Sequence, residues 1–239
     1  MKVQSSRRYL ALEVALFFLL NFYAAKLAGL AASALGITLP DMPLLRHTYI
    51  AFSTILLLML WLRWRGEPLA RFGLIRPRLR DLGWGIALAL TILVADSLVR
   101  SVTTPLIVAW TGANPHLNAQ TFAALQGDLP MFIGVLPFVW LFAAFGEEFL
   151  YRGYLLNRFA QVLGGGRLAL ALAIMAQAVL FGLAHWYQGP VGLVPIGAVA
   201  VLTGIATIAW GRNLWPAMVA HGLVDTLGFT MLYLGQPLS

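Results

Sequence analysis

The sequence contains no cysteine, and its 239 residues include only nine acidic residues and four histidines. Without cysteine there are no disulfides, no thiolate metal ligands and no cysteine nucleophile. Charged residues make up 10% of the chain, against roughly 25% in an average soluble protein, which leaves too little to solvate a globular surface. Also missing are a Gly-x-Ser-x-Gly nucleophile elbow, a His-Glu-x-x-His zinc motif and an aspartate pair. There is no low-complexity tract and no internal repeat of the inverted kind that builds many transporters.

Hydrophobic residues account for 60% of the chain, and the mean hydropathy is +0.82. These values exclude a soluble enzyme, a disordered chain and a fibrous protein. They indicate an all-α fold, a polytopic transmembrane helix bundle. The net charge of +7 reads as loop charge facing anionic headgroups, with no nucleic-acid partner implied.

A bilayer span needs about 20 mainly apolar residues. Seven segments qualify: Tyr9–Ala32, Leu45–Trp64, an overlong Leu82–Trp110, a fourth from Leu129 through Tyr154 and beyond, Arg167–Trp186, Val191–Trp210 and Leu214–Leu234. The first follows Lys2, Arg7 and Arg8 and precedes Ala32-Ser33-Ala34, as a signal peptide would, but its apolar run is longer than a typical signal core. Basic residues alternate between loops. Lys2, Arg7 and Arg8 precede span one, six arginines (Arg63, Arg65, Arg71, Arg76, Arg78 and Arg80) join spans two and three, Arg158 and Arg167 flank the next turn, and Arg212 the last. The positive-inside rule then predicts a cytoplasmic N-terminus and an external C-terminus in an integral protein of the plasma membrane. Residues 1–128 form an N-terminal unit with a basic interfacial segment over 63–82, and residues 129–239 a second unit that holds the chemistry.

Ionisable residues inside a span are costly and are functional candidates by default. Glu13 and Lys26 lie near the ends of span one and read as snorkelling side chains. Asp96 and Arg100 are spaced to pair on one helix face. His47 and His116 lie in or beside outer loops and take no role. The remaining cluster differs. Glu147 and Glu148 are adjacent within one span, and Arg152 lies a helical turn after Glu148. Arginine can neutralise Glu148 and leave Glu147, on another face, free to take a proton as a general base.

Phe181-Gly182-Leu183-Ala184-His185 closes the next span. If spans four and five form a hairpin turning at Gly164-Gly165-Gly166, Glu147 and His185 are level, being equidistant from residue 166. A count back through span six instead puts His185 nearer the outer face. His221 and Asp225 are four apart in span seven and share a face. His221 is nine residues past Arg212, about 13 Å, and Glu147 eleven from Arg158, about 16 Å, at a rise of roughly 1.5 Å per residue.

Glu-Glu-x-x-x-Arg, Phe-x-x-x-His and His-x-x-x-Asp on three successive motif-bearing spans resemble the CAAX-protease and bacteriocin-processing (CPBP, or Abi) family of intramembrane proteases. The resemblance covers roughly Leu129–Gly235. It implies an endopeptidase acting within the bilayer on a membrane-associated protein or peptide, either a prenylated C-a-a-X protein or a leader or bacteriocin-type peptide. Carried over residue by residue, Glu147 activates water and His185 assists, Glu148 and Arg152 form the supporting pair, Phe181 shapes the pocket, and His221 and Asp225 form the third motif. Where members of the family have Asn in place of Asp225, that side chain can donate to an oxyanion. An ionised Asp225 cannot, so it must be protonated, orient His221 or bind a metal. Glu147, His185 and His221 could hold Zn²⁺, and metal-independent glutamate chemistry is equally compatible with the same residues. A proton-coupled transporter and a non-catalytic membrane scaffold are the competing readings.

Overall fold

A computed structural model describes residues 6–35, 43–116 and 122–236. Among the described residues there are seven long helices: α1 Arg7–Ala34, α2 Pro43–Trp64, α3 Leu79–Thr111, α4 Leu129–Val162, α5 Gly166–Ala184, α6 Pro190–Ala209 and α7 Trp215–Tyr233. Helices α3, α4, α5 and α6 are each long and apolar enough to cross a membrane. Lys2 lies outside the described residues, and of His47 only the backbone is described.

Helix α3 shows how the bundle divides its surface. Leu82, Ile86, Leu90, Val94 and Leu98 recur every four residues and are all exposed. A stripe of that length on one face suits lipid rather than water. The opposite face turns Gly85, Leu88, Ala89 and Ile92 inward, where Leu88, Ala89 and Ile92 pack with Ala217 and Ala220 of α7. Asp96 and Arg100 pair as their spacing predicts, at 2.7 Å.

The motif helix α4 is not a uniform α-helix. Over Val139–Leu155 it loosens to π winding, beginning two residues after Pro137. Proline has no N–H to give to the helical ladder, and π segments in helices are frequently found at functional sites. Around this stretch Leu58, Leu62, Phe72, Phe149, Tyr154, Leu155 and Leu214 form a fully buried core.

Glu13 does not snorkel. Its side chain is 2% exposed, and its oxygens accept from Arg65 Nη1 at 2.6 Å, Arg158 Nε at 3.0 Å, the Tyr154 hydroxyl at 2.9 Å and Trp61 Nε1 at 3.2 Å. Snorkelling needs a path to water, and α2 and α4 close over this position. Arg158, expected beside a loop, is likewise buried and also holds Glu67 at 2.6 Å. The segment after α2 is therefore more than an interfacial strap. Phe72 is wholly buried, and Gly73, with φ +92°, takes a bond from the Leu214 N–H at 3.2 Å and lies too close to the Arg212 carbonyl to carry a side chain.

Partial burial alone would raise the Glu67 pKa, but the Arg158 hydrogen bond and the charges of Arg158, Arg71 and Arg65 outweigh it and hold the carboxyl below its usual range. A carboxyl depressed in the fold adds stability above its unfolded pKa of about 4.3 and loses that contribution as pH falls through the folded value. Melting temperature in detergent is therefore expected to fall on acidification below about pH 4. Glu67→Gln should flatten that decline. Identical pH profiles for the two proteins would contradict this role for the pair.

Candidate active site

Glu148 faces the interior of the bundle. Its Oε1 lies 3.0 Å from Arg152 Nη1 and 2.9 Å from His221 Nδ1, and both members of the ion pair are at most 2% exposed. Arg152 continues outward from this pair. Its Nη2 donates to Thr203 Oγ1 on α6 at 2.8 Å, and its guanidinium lies 4.2 Å from the centre of the Phe181 ring on α5. One arginine thus joins α4, α5 and α6 beneath the site.

Glu147 points elsewhere, as the different helix face requires. Its side chain is 31% exposed, and Oε2 lies 4.0 Å from His185 Nε2. Among the described residues that oxygen has no hydrogen-bond partner. The hairpin reading, which puts Glu147 and His185 level, agrees with this geometry. The count through span six does not.

His185 terminates α5, and its Nδ1 lies 2.8 Å from the Phe181 carbonyl one turn back. A carbonyl can only accept, so Nδ1 carries the hydrogen, and Nε2 is the nitrogen that faces Glu147. Phe181 sits between the two histidines, with ring centres 4.7 Å from His185 and 6.1 Å from His221, and Tyr151 meets it edge-on at 4.9 Å. At 5% exposed, Phe181 acts as a packing post that spaces the imidazoles.

His221 is placed by α7. Its Nδ1 faces Glu148 and its Nε2 lies 3.5 Å from Asp225 Oδ2. The neighbouring Gly222 is required by packing, since an added Cβ would stand 2.6 Å from the Trp140 ring. Trp140 in turn donates from Nε1 to Thr226 at 3.1 Å. The structure brings Glu147, Glu148, Arg152, Phe181, His185, His221 and Asp225 into one cluster. Thr203, Trp140 and Gly222 support it, and a threonine, a tryptophan or a glycine in an apolar helix gives no signal in sequence.

The cluster does not fit zinc ligation as arranged. Among the described residues no three His, Asp or Glu side chains are grouped as ligands. Both nitrogens of His221 face carboxylates and His185 Nδ1 faces a carbonyl, whereas a catalytic zinc usually takes three protein ligands.

Residues 129–227 match the family model described as Type II CAAX prenyl endopeptidase Rce1-like. The matched stretch contains all seven residues of the cluster. No curated protein and no solved structure matches the chain.

Proposed function

We propose that this chain, whose residues 129–227 match the Rce1-like family of type II CAAX prenyl endopeptidases, hydrolyses a peptide bond of a prenylated, membrane-bound substrate with Glu147 as the general base. A peptidase of the membrane follows from the family and from the apolar helices. The residue roles rest on one observation above all. Glu147 Oε2 and His185 Nε2 are two acceptors facing each other across 4.0 Å. That separation is one a single water spans.

Such a water donates one hydrogen to each group and turns its lone pair toward the substrate carbonyl. As the new C–O bond forms, Glu147 takes the proton and later passes it to the leaving amine. His185 fixes the direction of attack. His221 stabilises the developing oxyanion by turning its Nε2–H away from Asp225, the longer of its two carboxylate contacts at 3.5 Å. Glu148 and Asp225, one on each ring nitrogen, hold that imidazole in place. Asp225 therefore orients His221 rather than meeting the oxyanion itself. Glu148 and Arg152 are positioning residues. Residues 129–239 form the catalytic core and residues 1–128 brace it through Glu13 and Glu67. The arginine-rich end of the bundle faces the cytoplasm of a plasma-membrane protein.

This mechanism needs no metal step. Cleavage of a prenylated C-a-a-X peptide by detergent-purified protein should survive chelation, and His185→Ala should lower the rate by about 10²-fold or more. Activity lost on chelation and restored by Zn²⁺ would overturn the metal-free mechanism. Wild-type turnover by His185→Ala would overturn the role of that residue. A leader-type peptide assayed beside the prenylated one distinguishes the two substrate classes.

A further inference from the structure

Away from the catalytic cluster, the arginine-rich end of the bundle holds a second cleft. It has a volume of about 290 Å³ and is lined by Arg80, Asp81, Trp84, Trp210, Asn213 and Pro216. It lies where the start of α3 meets the turn from α6 to α7. Its wall is built rather than accidental. Asp81 is 3% exposed, and its two oxygens accept from the Arg78 N–H and from Asn213 Nδ2, both at 2.8 Å. The Trp84 and Trp210 rings face each other at 5.7 Å with 35° between their planes. Arg80, on the solvent side, has no acidic partner among the described ion pairs.

Depth identifies the occupant. Trp84 is five residues into α3, about 8 Å from its start at roughly 1.5 Å per residue, and Trp210 caps α6. Paired tryptophans at that level mark the interface between headgroups and acyl chains. Basic clefts between helices there take lipid headgroups. This cleft is dipolar rather than simply basic. It offers a free guanidinium to an anion, and a fixed carboxylate and two indole faces to a cation. Its volume of about 290 Å³ accommodates a phosphate joined to a short amine.

We propose that the cleft of Arg80, Asp81, Trp84 and Trp210 is a binding site for the zwitterionic headgroup of a membrane phospholipid of the ethanolamine type. The phosphate meets Arg80, the ammonium meets Asp81 and the indole faces, and the acyl chains run down the apolar flank of α3. A purely anionic headgroup gains Arg80 but meets Asp81 unfavourably. Free phosphate lacks the ammonium and the chains. The lipid would fix α3 against the α6–α7 turn, next to the helix that carries His221. The proposal does not depend on the peptidase reading.

The test is lipid retention by the full-length purified protein, followed by native mass spectrometry. Phosphatidylethanolamine, phosphatidylcholine and phosphatidylglycerol of matched chains are titrated in turn, and inorganic phosphate separately. Phosphatidylethanolamine should bind at least tenfold more tightly than phosphatidylglycerol. Arg80→Gln and Trp84→Ala, both at exposed positions, should each cost tenfold or more in that affinity without lowering the melting temperature. Glu147→Gln should bind lipid as wild type does. Equal binding by wild type and Arg80→Gln would overturn the site. Equal affinity for phosphatidylglycerol would overturn the dipolar assignment, and binding of inorganic phosphate as tight as that of lipid would overturn the lipid source.

Discussion

Glu147→Gln is expected to lower peptide cleavage by about 10²–10⁴-fold, the usual contribution of a positioned general base, while the protein melts as wild type does. Both halves follow from the same geometry. The substitution keeps the shape of the side chain and removes its ability to take a proton. Oε2 has no hydrogen-bond partner among the described residues, so no internal bond is lost with it. Rates and melting curves measured on one preparation check both halves. Cleavage by Glu147→Gln within threefold of wild type would remove Glu147 as the base. Loss of activity together with loss of folding would make it a structural residue instead.

Arg152→Ala is expected to do the reverse and act first on stability. It strips the counter-charge from Glu148, which is 1% exposed, and frees Thr203 and the Phe181 ring face from their partner. Breaking a buried ion pair from one side costs about 3–5 kcal/mol, because a charge is left behind without compensation. Replacing both members by neutral groups costs less. The double variant Glu148→Gln, Arg152→Met should therefore recover much of the stability lost by Arg152→Ala, and recover little activity, since His221 loses its carboxylate partner. Thermal unfolding of the two variants beside wild type checks this. Additive losses would show that Glu148 and Arg152 do not act as a unit.

The two expectations separate adjacent carboxylates by role, and that division is legible in the sequence. Apolar helices make each charge conspicuous, and the spacing from Glu148 to Arg152 announces a partner for one acid and none for the other. The level of His185 is also legible, because a hairpin fixes which residues face each other. Distance in sequence hides the rest. Glu13 finds its partners 48 to 145 residues away, so its local position near a helix end suggests snorkelling where the fold provides a buried network. Arg158 reads as a loop charge for the same reason. The π winding of Val139–Leu155 has only Pro137 as its trace. Thr203 is an ordinary helix residue until Arg152 reaches it from another span.

In the proposed reaction Glu147 and His185 together activate a water that cleaves a peptide bond within the membrane. The most direct measurement is the mass of the cleaved product. Purified protein in lipid nanodiscs is given a prenylated C-a-a-X peptide in water enriched in oxygen-18, beside Glu147→Gln. The expected result is release of the C-terminal fragment and one heavy oxygen in the new carboxylate, with both signals absent in the variant. An intact peptide with wild-type protein, or equal cleavage by Glu147→Gln, would contradict it.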